Sequence, residues 1–198
     1  MDATSKAAVI AGLFLFGQEV LKFLFSLINK DGFRKKMSKA LSDSTDKDIK
    51  IKQELRNLIE RYDFDRVSVI EYHNGITTLA GVSLKKASMT HEETNTRTAS
   101  MLNEFQSVPC SISASMLKEL ENTHDGYVCV DDESAVEETA IANRMYGVRQ
   151  AWNFRIGNLL IDGCLSCVYT EETRYFEHEE ILDIKASAKK ILLIKSKK

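Results

Sequence analysis

Proline is nearly missing from this chain of 198 residues: Pro109 stands alone, and glycine occurs only nine times. That scarcity excludes collagen-like, linker-dominated and low-complexity architectures, which need one or both in bulk. Cysteine is scarce as well. Cys110, Cys129, Cys164 and Cys167 are too few for a disulfide-stapled scaffold and suit a reducing compartment. Neither sign of charge dominates, with 27 Lys and Arg against 29 Asp and Glu. No basic footprint is present, so nucleic acid is not expected as a partner. Signatures of catalysis are missing too. There is no phosphate-cradling Gly loop, no Ser-His-Asp order with a nucleophile elbow and no H-E-x-x-H. No catalytic residue, resident cofactor or metal site is therefore expected, and the length fits one domain plus an attachment.

What is present begins at the N-terminus. Residues 7–28 are apolar except for Gln18, Glu19, Lys22 and Ser26. As a helix rising ~1.5 Å per residue this segment spans about 33 Å, enough for a hydrocarbon core of roughly 30 Å. Glu19 near the bilayer centre costs about 2.5–3.5 kcal/mol on insertion scales. Lys22 is placed to pair with it or to snorkel. Gln18, Lys22, Ser26 and Asn29 recur at helical spacing. Such a stripe suits a helix that hides its polar face against other copies or lies in the membrane interface. Only Lys6 offers a basic n-region and no clean small-x-small site comes after it, so signal-peptide cleavage is not expected. Arg34, Lys35, Lys36 and Lys39 come next and by the positive-inside tendency put the C-terminal remainder of the chain in the cytoplasm. The expected organisation is a membrane-anchor or oligomerisation helix over 1–30, a basic linker over 31–47 and a domain over 48–198. The bland alternative is an amphipathic helix docked on its own domain or on a partner protein.

Periodicity outlines the domain. Ser42–Asp46 reads as a turn and N-cap cluster, leading into a helix over 48–62 with Ile51, Leu55, Leu58, Ile59 and Tyr62 at helical spacing. Residues 65–74 read as a strand ending in an Asn74-Gly75 turn, and 79–89 as a second strand. The polar stretch 91–106 has a helical tendency. Further helices are expected over 113–122 and 133–146, with a strand over 127–130. A buried hairpin (150–156 and 161–169, across the turn 157–163) then feeds a closing amphipathic helix over 176–194.

The run "YGVRQAWNFRIGNLLIDGCLSCVYTEETRYFEHEEI" resembles the C-terminal half of a GAF domain. It has the glycine-containing approach to a strand, the short hairpin, a "G-x-L-S" strand, and a Phe with acidic residues opening the last helix. The resemblance, over about residues 48–194, implies an α/β (α+β) fold: a GAF-like antiparallel sheet with flanking helices, one face packed by helices and the other roofed by loops over a pocket. It also implies a small-molecule sensor or dimer module rather than a catalyst. The Asn-Lys-Phe-Asp-Glu signature of cyclic-nucleotide-binding members is absent, and so is the pocket cysteine with neighbouring histidine of tetrapyrrole-bearing members. The layout, with its "R-V-S-V-x-x-x-H-N-G" strand, is also similar to small proteins of tailed bacteriophages and bacteria.

Candidate ligand contacts come from strand alternation. Glu71 and His73 share a face with Val67 and Val69, and could tune one another or read a ligand's polar edges. They equally suit the wet end of a strand. Trp152, Phe154 and Ile156 share one face and read as core; Asn153 and Arg155 share the other, where Arg155 can grip a carboxylate or phosphate. A lone strand Arg is also commonly a surface charge. Cys164 and Cys167 have metal-like spacing, but on a strand positions i and i+3 face opposite ways, so both read as buried hydrophobes. The acidic run 131–138 reads as helix capping more than as a cation site, and Lys195–Lys198 as a solvated tail.

Three functions are open. The favoured one is a non-catalytic, membrane-anchored, cytoplasm-facing sensor that binds a small molecule or protein partner and oligomerises. The second is a structural assembly subunit, of phage-virion or membrane-pore type, with a vestigial pocket. The third is a cysteine-dependent redox enzyme like the methionine sulfoxide reductases of the GAF family, using Cys110 or Cys129.

Overall fold

In a computed structural model the protein is described at residues 3–77, 83–131, 137–157 and 162–197; at 3–21, 23–31, 33, 74–77, 83–84, 137–138 and 142 only the backbone is described. The chain divides at Asp46 into two units, Met1–Asp46 and Lys47–Lys198. A helix, α1 (Ala3–Tyr62), supplies all the described structure of the first unit and opens the second. Apart from Lys22, which is exposed, the side chains of the polar stripe expected on residues 18–29 lie outside the described residues, and so does that of Glu19. Among those described, no helix is long and apolar enough to cross a membrane. The cluster 42–46 does not turn the chain. Thr45 Oγ1 donates back to the Leu41 carbonyl at 2.9 Å, so a cap-forming hydroxyl is satisfied inside the helix. The helix ends instead at Asp63, whose φ of 56° is left-handed and whose N–H closes on the Ile59 carbonyl at 2.8 Å, an αL stop.

Among the described residues six strands come after it: β1 (Arg66–Thr77), β2 (Ser83–Thr94), β3 (Val108–Pro109), β4 (Tyr127–Asp131), β5 (Gln150–Arg155) and β6 (Cys164–Tyr169). They form one sheet in the order β3-β2-β1-β6-β5-β4, antiparallel throughout. A 3-10 turn (Cys110–Ser113) leads into α2 (Ala114–Asn122); α3 (Glu137–Met145) precedes β5, and α4 (His178–Ser196) closes the chain. The expected α/β fold with an antiparallel sheet and flanking helices is the one observed.

Two local expectations are corrected. Asn74-Gly75 lies within β1, where the register with β2 slips between Asn74 and Thr77, and so makes no hairpin turn. Residues 91–106 form no helix: β2 runs on to Thr94 and turns come next. Pairing of β2 with β1 outweighs the weak helical pattern there, because every residue from His91 to Thr94 has a cross-strand partner. The acidic run has its centre, 132–136, outside the described residues, as does the hairpin tip 158–161.

The two sheet faces carry different layers. On one, Val67, Val69, Trp152, Phe154, Leu165 and Cys167 bury against Leu55 and Leu58 of α1 and Ile184, Ala188 and Ile191 of α4. Along this layer the Phe64 ring centroid lies 5.1 Å from that of Tyr169 and 5.6 Å from that of Phe176, which lies 5.1 Å from that of Trp152. The tail of α1 and α4 run antiparallel: Lys47 caps the carbonyls of Lys195 and Lys197, Glu54 pairs with Lys190, and Arg61 with Asp183. Met116 and Leu120 of α2 pack with Val128, Val130 and Cys164 on the other face.

Candidate functional site

The second face owes its shape to cross-strand register. Ser68 of β1 sits opposite Ser166 of β6, Ser166 opposite Asn153 of β5, and Glu92 of β2 opposite Ser68. Four strands therefore contribute one contiguous polar row, Glu92–Ser68–Ser166–Asn153, on a surface that is otherwise largely apolar. All four are buried, Ser68 to within 1% of full exclusion. Adjacent strands lie about 4.8 Å apart, so the row spans roughly 14 Å of sheet floor. Ser68, Ser166 and Asn153 form the floor of a cavity of about 90 Å³.

Its roof comes from three segments. Met101 and Phe105 lie in the turns after β2, Ile112 and Met116 in the 3-10 turn and α2, and Thr139 and Asn143 on α3. Thr139 and Asn143 are four residues apart, one helical turn, so they share the face of α3 that meets the sheet. Neither Thr139 Oγ1 nor Asn143 Nδ2 has a hydrogen-bond partner, although both atoms are buried. A buried polar atom left unpaired costs about 1–3 kcal/mol.

Glu92 fixes the roof's first segment. Its carboxylate accepts from the Met101 N–H at 2.9 Å, the Leu102 N–H at 3.2 Å and the Ser100 hydroxyl. Arg66, whose side chain is 6% exposed, approaches it at 3.1 Å and donates to the Ala99 carbonyl. This buried pair holds the segment over the floor, and Glu92 balances the charge of Arg66, the one charged residue in the described wall.

The four residues singled out from the sequence separate. Asn153 is in the cavity wall, 4% exposed. Arg155, on the same face two residues on, turns to the end of α2 and donates to the carbonyls of Thr123 at 3.1 Å and Glu121 at 3.4 Å. Its guanidinium lies against Gly126, whose φ of +70° and proximity to that group both favour glycine. Glu71 and His73 lie on the helical face, away from the cavity, with separate partners. Glu71 takes Lys195 of α4 at 2.9 Å, which ties that residue into the domain instead of leaving it in a solvated tail. His73 meets Ser88 at 2.9 Å. The serines, Thr139 and Asn143 went unnoticed in sequence. The one signal was a single small polar residue interrupting each buried strand, in "RVSVI" and "CLSCVY".

The cysteines are placed as alternation requires: Cys164 packs with the cavity-side cluster, Cys167 with the helical one. Burial pushes every thiol up, Cys129 and Cys164 to about 12. Among the described residues, no group of three metal-ligating side chains gathers.

No family model matches the sequence, and no curated protein matches it either. Solved structures do match. The blue-light-absorbing PixJ GAF domain of Thermosynechococcus elongatus superposes with a TM-score of 0.57 at 16% identity, over 78% of this chain and 87% of that one. The phycocyanobilin-bound GAF domain of a cyanobacterial phytochrome gives 0.58 at 14%, over 80% and 89%. A GAF domain region from Geobacter sulfurreducens PCA gives 0.55 at 13%, over 79% and 97%. The fold is GAF-like. At such identity the likeness extends to the fold alone. The phytochrome neighbour's bilin does not fit this GAF-like domain: the cavity, about 90 Å³, has neither Cys nor His in its described wall, and pockets for ligands of drug size run to roughly 300–1,000 Å³.

Proposed function

We propose that the chain is a non-catalytic sensor whose GAF-like domain binds a small molecule in the cavity between the sheet and α2–α3. The observation that carries this reading is the pair of unpartnered polar atoms, Thr139 Oγ1 and Asn143 Nδ2, lining one cavity with a polar floor. A fold with no use for the cavity gains by filling it with apolar side chains. The N-terminal helix attaches the protein to a membrane with the domain on the cytoplasmic side, and brings copies together. Support comes from the apolar run 7–28, the basic residues just after it, and Met37 and Leu41, which are 61% and 71% exposed on α1. No nucleic-acid partner belongs to this reading.

The test is native mass spectrometry of the full-length chain released from mild detergent. A small mass that departs on denaturation supports the sensor reading. A ligand-free, defined oligomer supports the assembly-subunit reading instead. Flotation with vesicles of mixed zwitterionic and anionic lipid tests attachment, and protein remaining at the bottom of the gradient argues against it. The cysteine-redox reading needs a thiolate, and burial works against one at all four positions. Sulfoxide reduction that disappears in Cys110→Ser or Cys129→Ser would restore it.

A further inference from the structure

The cavity's chemistry narrows what can occupy it. Its volume, about 90 Å³, falls below the roughly 300–1,000 Å³ of pockets that take drug-sized ligands, so the occupant is small. Its charge is set by Arg66, the one cationic group in the described wall, which is balanced by the Glu92 carboxylate at 3.1 Å with both side chains buried, although its buried Nε makes no hydrogen bond. A charged ligand would lose its hydration and find no free counter-charge. Its polarity is set by the unpartnered atoms. Asn143 Nδ2 can only donate, and Thr139 Oγ1 can donate or accept. Thr139 is 3% exposed, so bulk water does not satisfy it. Opposite them, Ser68, Ser166 and Asn153 offer hydroxyl and amide groups, and Ile70, Phe105 and Met116 leave room only for apolar contact.

We propose that this site selects a small, uncharged carbonyl compound of the amide class, its oxygen received by Asn143 and Thr139 and its amide N–H groups by the polar row of the sheet. The inference rests on the sensor reading and specifies its ligand. Carboxylates and amines of the same size are excluded by charge, and larger rings by volume.

The experiment is ligand-observed saturation-transfer NMR on the full-length protein, with acetamide, acetate and methylammonium as matched probes. Acetamide is expected to give a saturable signal that neither ion displaces at equal concentration. Thr139→Val keeps the side chain's shape and Asn143→Leu keeps its approximate bulk; each is expected to weaken acetamide binding at least fivefold. Arg61→Ala, on the helical face, serves as the control and should bind as the parent does. If acetate or methylammonium outcompetes acetamide, the neutral-ligand assignment is overturned while the sensor reading stands. Binding of acetamide that survives both cavity variants also overturns it, since the probe is then elsewhere. No binding of any probe, together with no retained mass in the native spectrum, overturns the assignment and the sensor reading alike.

Discussion

Thr139 and Arg155 meet to different extents the rule that buried polar atoms need partners. Thr139 Oγ1 has none, so in the ligand-free protein Thr139→Val removes a desolvated hydroxyl without changing shape. Urea denaturation should show the variant more stable by about 1 kcal/mol. Arg155 instead donates to two carbonyls at the C-terminal end of α2, although its own buried Nε has no partner. Arg155→Met leaves them without donors and should cost about 1–3 kcal/mol by the same measurement. Asp65 provides the pH dependence. Burial raises its carboxyl, but hydrogen bonds from the Thr170 N–H and hydroxyl and from Asn95, with Arg97 nearby, outweigh burial and hold it below the ordinary carboxylate range. A depressed folded value stabilises fully above the unfolded value of about 3.9 and loses that contribution as pH falls through the folded one. Urea midpoints should therefore drop below pH ~4 in the parent, and Asp65→Asn should flatten that acid limb while lowering stability at pH 7. None of these partnerships was legible in sequence. "N-F-R" says that Arg155 shares a face with Asn153, but its acceptors lie more than thirty residues away along the chain. Trp152 and Phe154 were legible, because an apolar i, i+2 pair on a strand has few places to go but the core.

At the scale of elements, apolar contact between α1 and α4 decides more than the ion pairs that line its edge. Leu58 is fully buried in the aromatic and aliphatic layer, and Leu58→Ala should cost about 2–5 kcal/mol. Arg61 and Asp183 are each 42% exposed, and exposed pairs are worth at most about 1 kcal/mol. Arg61→Ala should therefore shift the urea midpoint far less, and a reversed ranking would show that the polar zipper holds the pair. The segment after β2 behaves differently, because its anchor is a buried charge pair. Glu92→Gln strands Arg66 and weakens the acceptor for Met101 and Leu102. A cost of about 3–5 kcal/mol is expected, with proteolysis at residues 95–107 rising first. Elements with a strong period were readable: the closing helix, the last hairpin and the helix over 113–122 fall within a few residues of their observed bounds. The stretch 91–106 was not. Its fate depends on β1 offering β2 a partner and on one carboxylate gathering three donors, both of them tertiary facts.

Over the whole molecule, sequence carried the fold further than the site, because a sheet with two helical layers is written in periodicity, whereas a cavity is written in register. Ser68 and Ser166 are 98 positions apart in the chain and become neighbours only through β1–β6 pairing. The N-terminal unit inverts that balance. Its role is legible only in hydropathy, helical spacing and flanking charge, and the described side chains of residues 34–46 are all exposed. Native-state hydrogen exchange distinguishes what α1 does there. A helix that makes no tertiary contacts is marginal in water and opens readily, so as a monomer residues 34–46 should exchange within minutes. Val67, Phe154 and Leu165, buried in the central strands, should exchange only through opening of the domain. If copies associate through this unit, protection over 34–46 should rise with protein concentration, by a factor of ten or more for each ~1.4 kcal/mol of association. Protection there that stays low at every concentration would remove self-association by this stretch from the proposed function and leave the domain to act as a single copy.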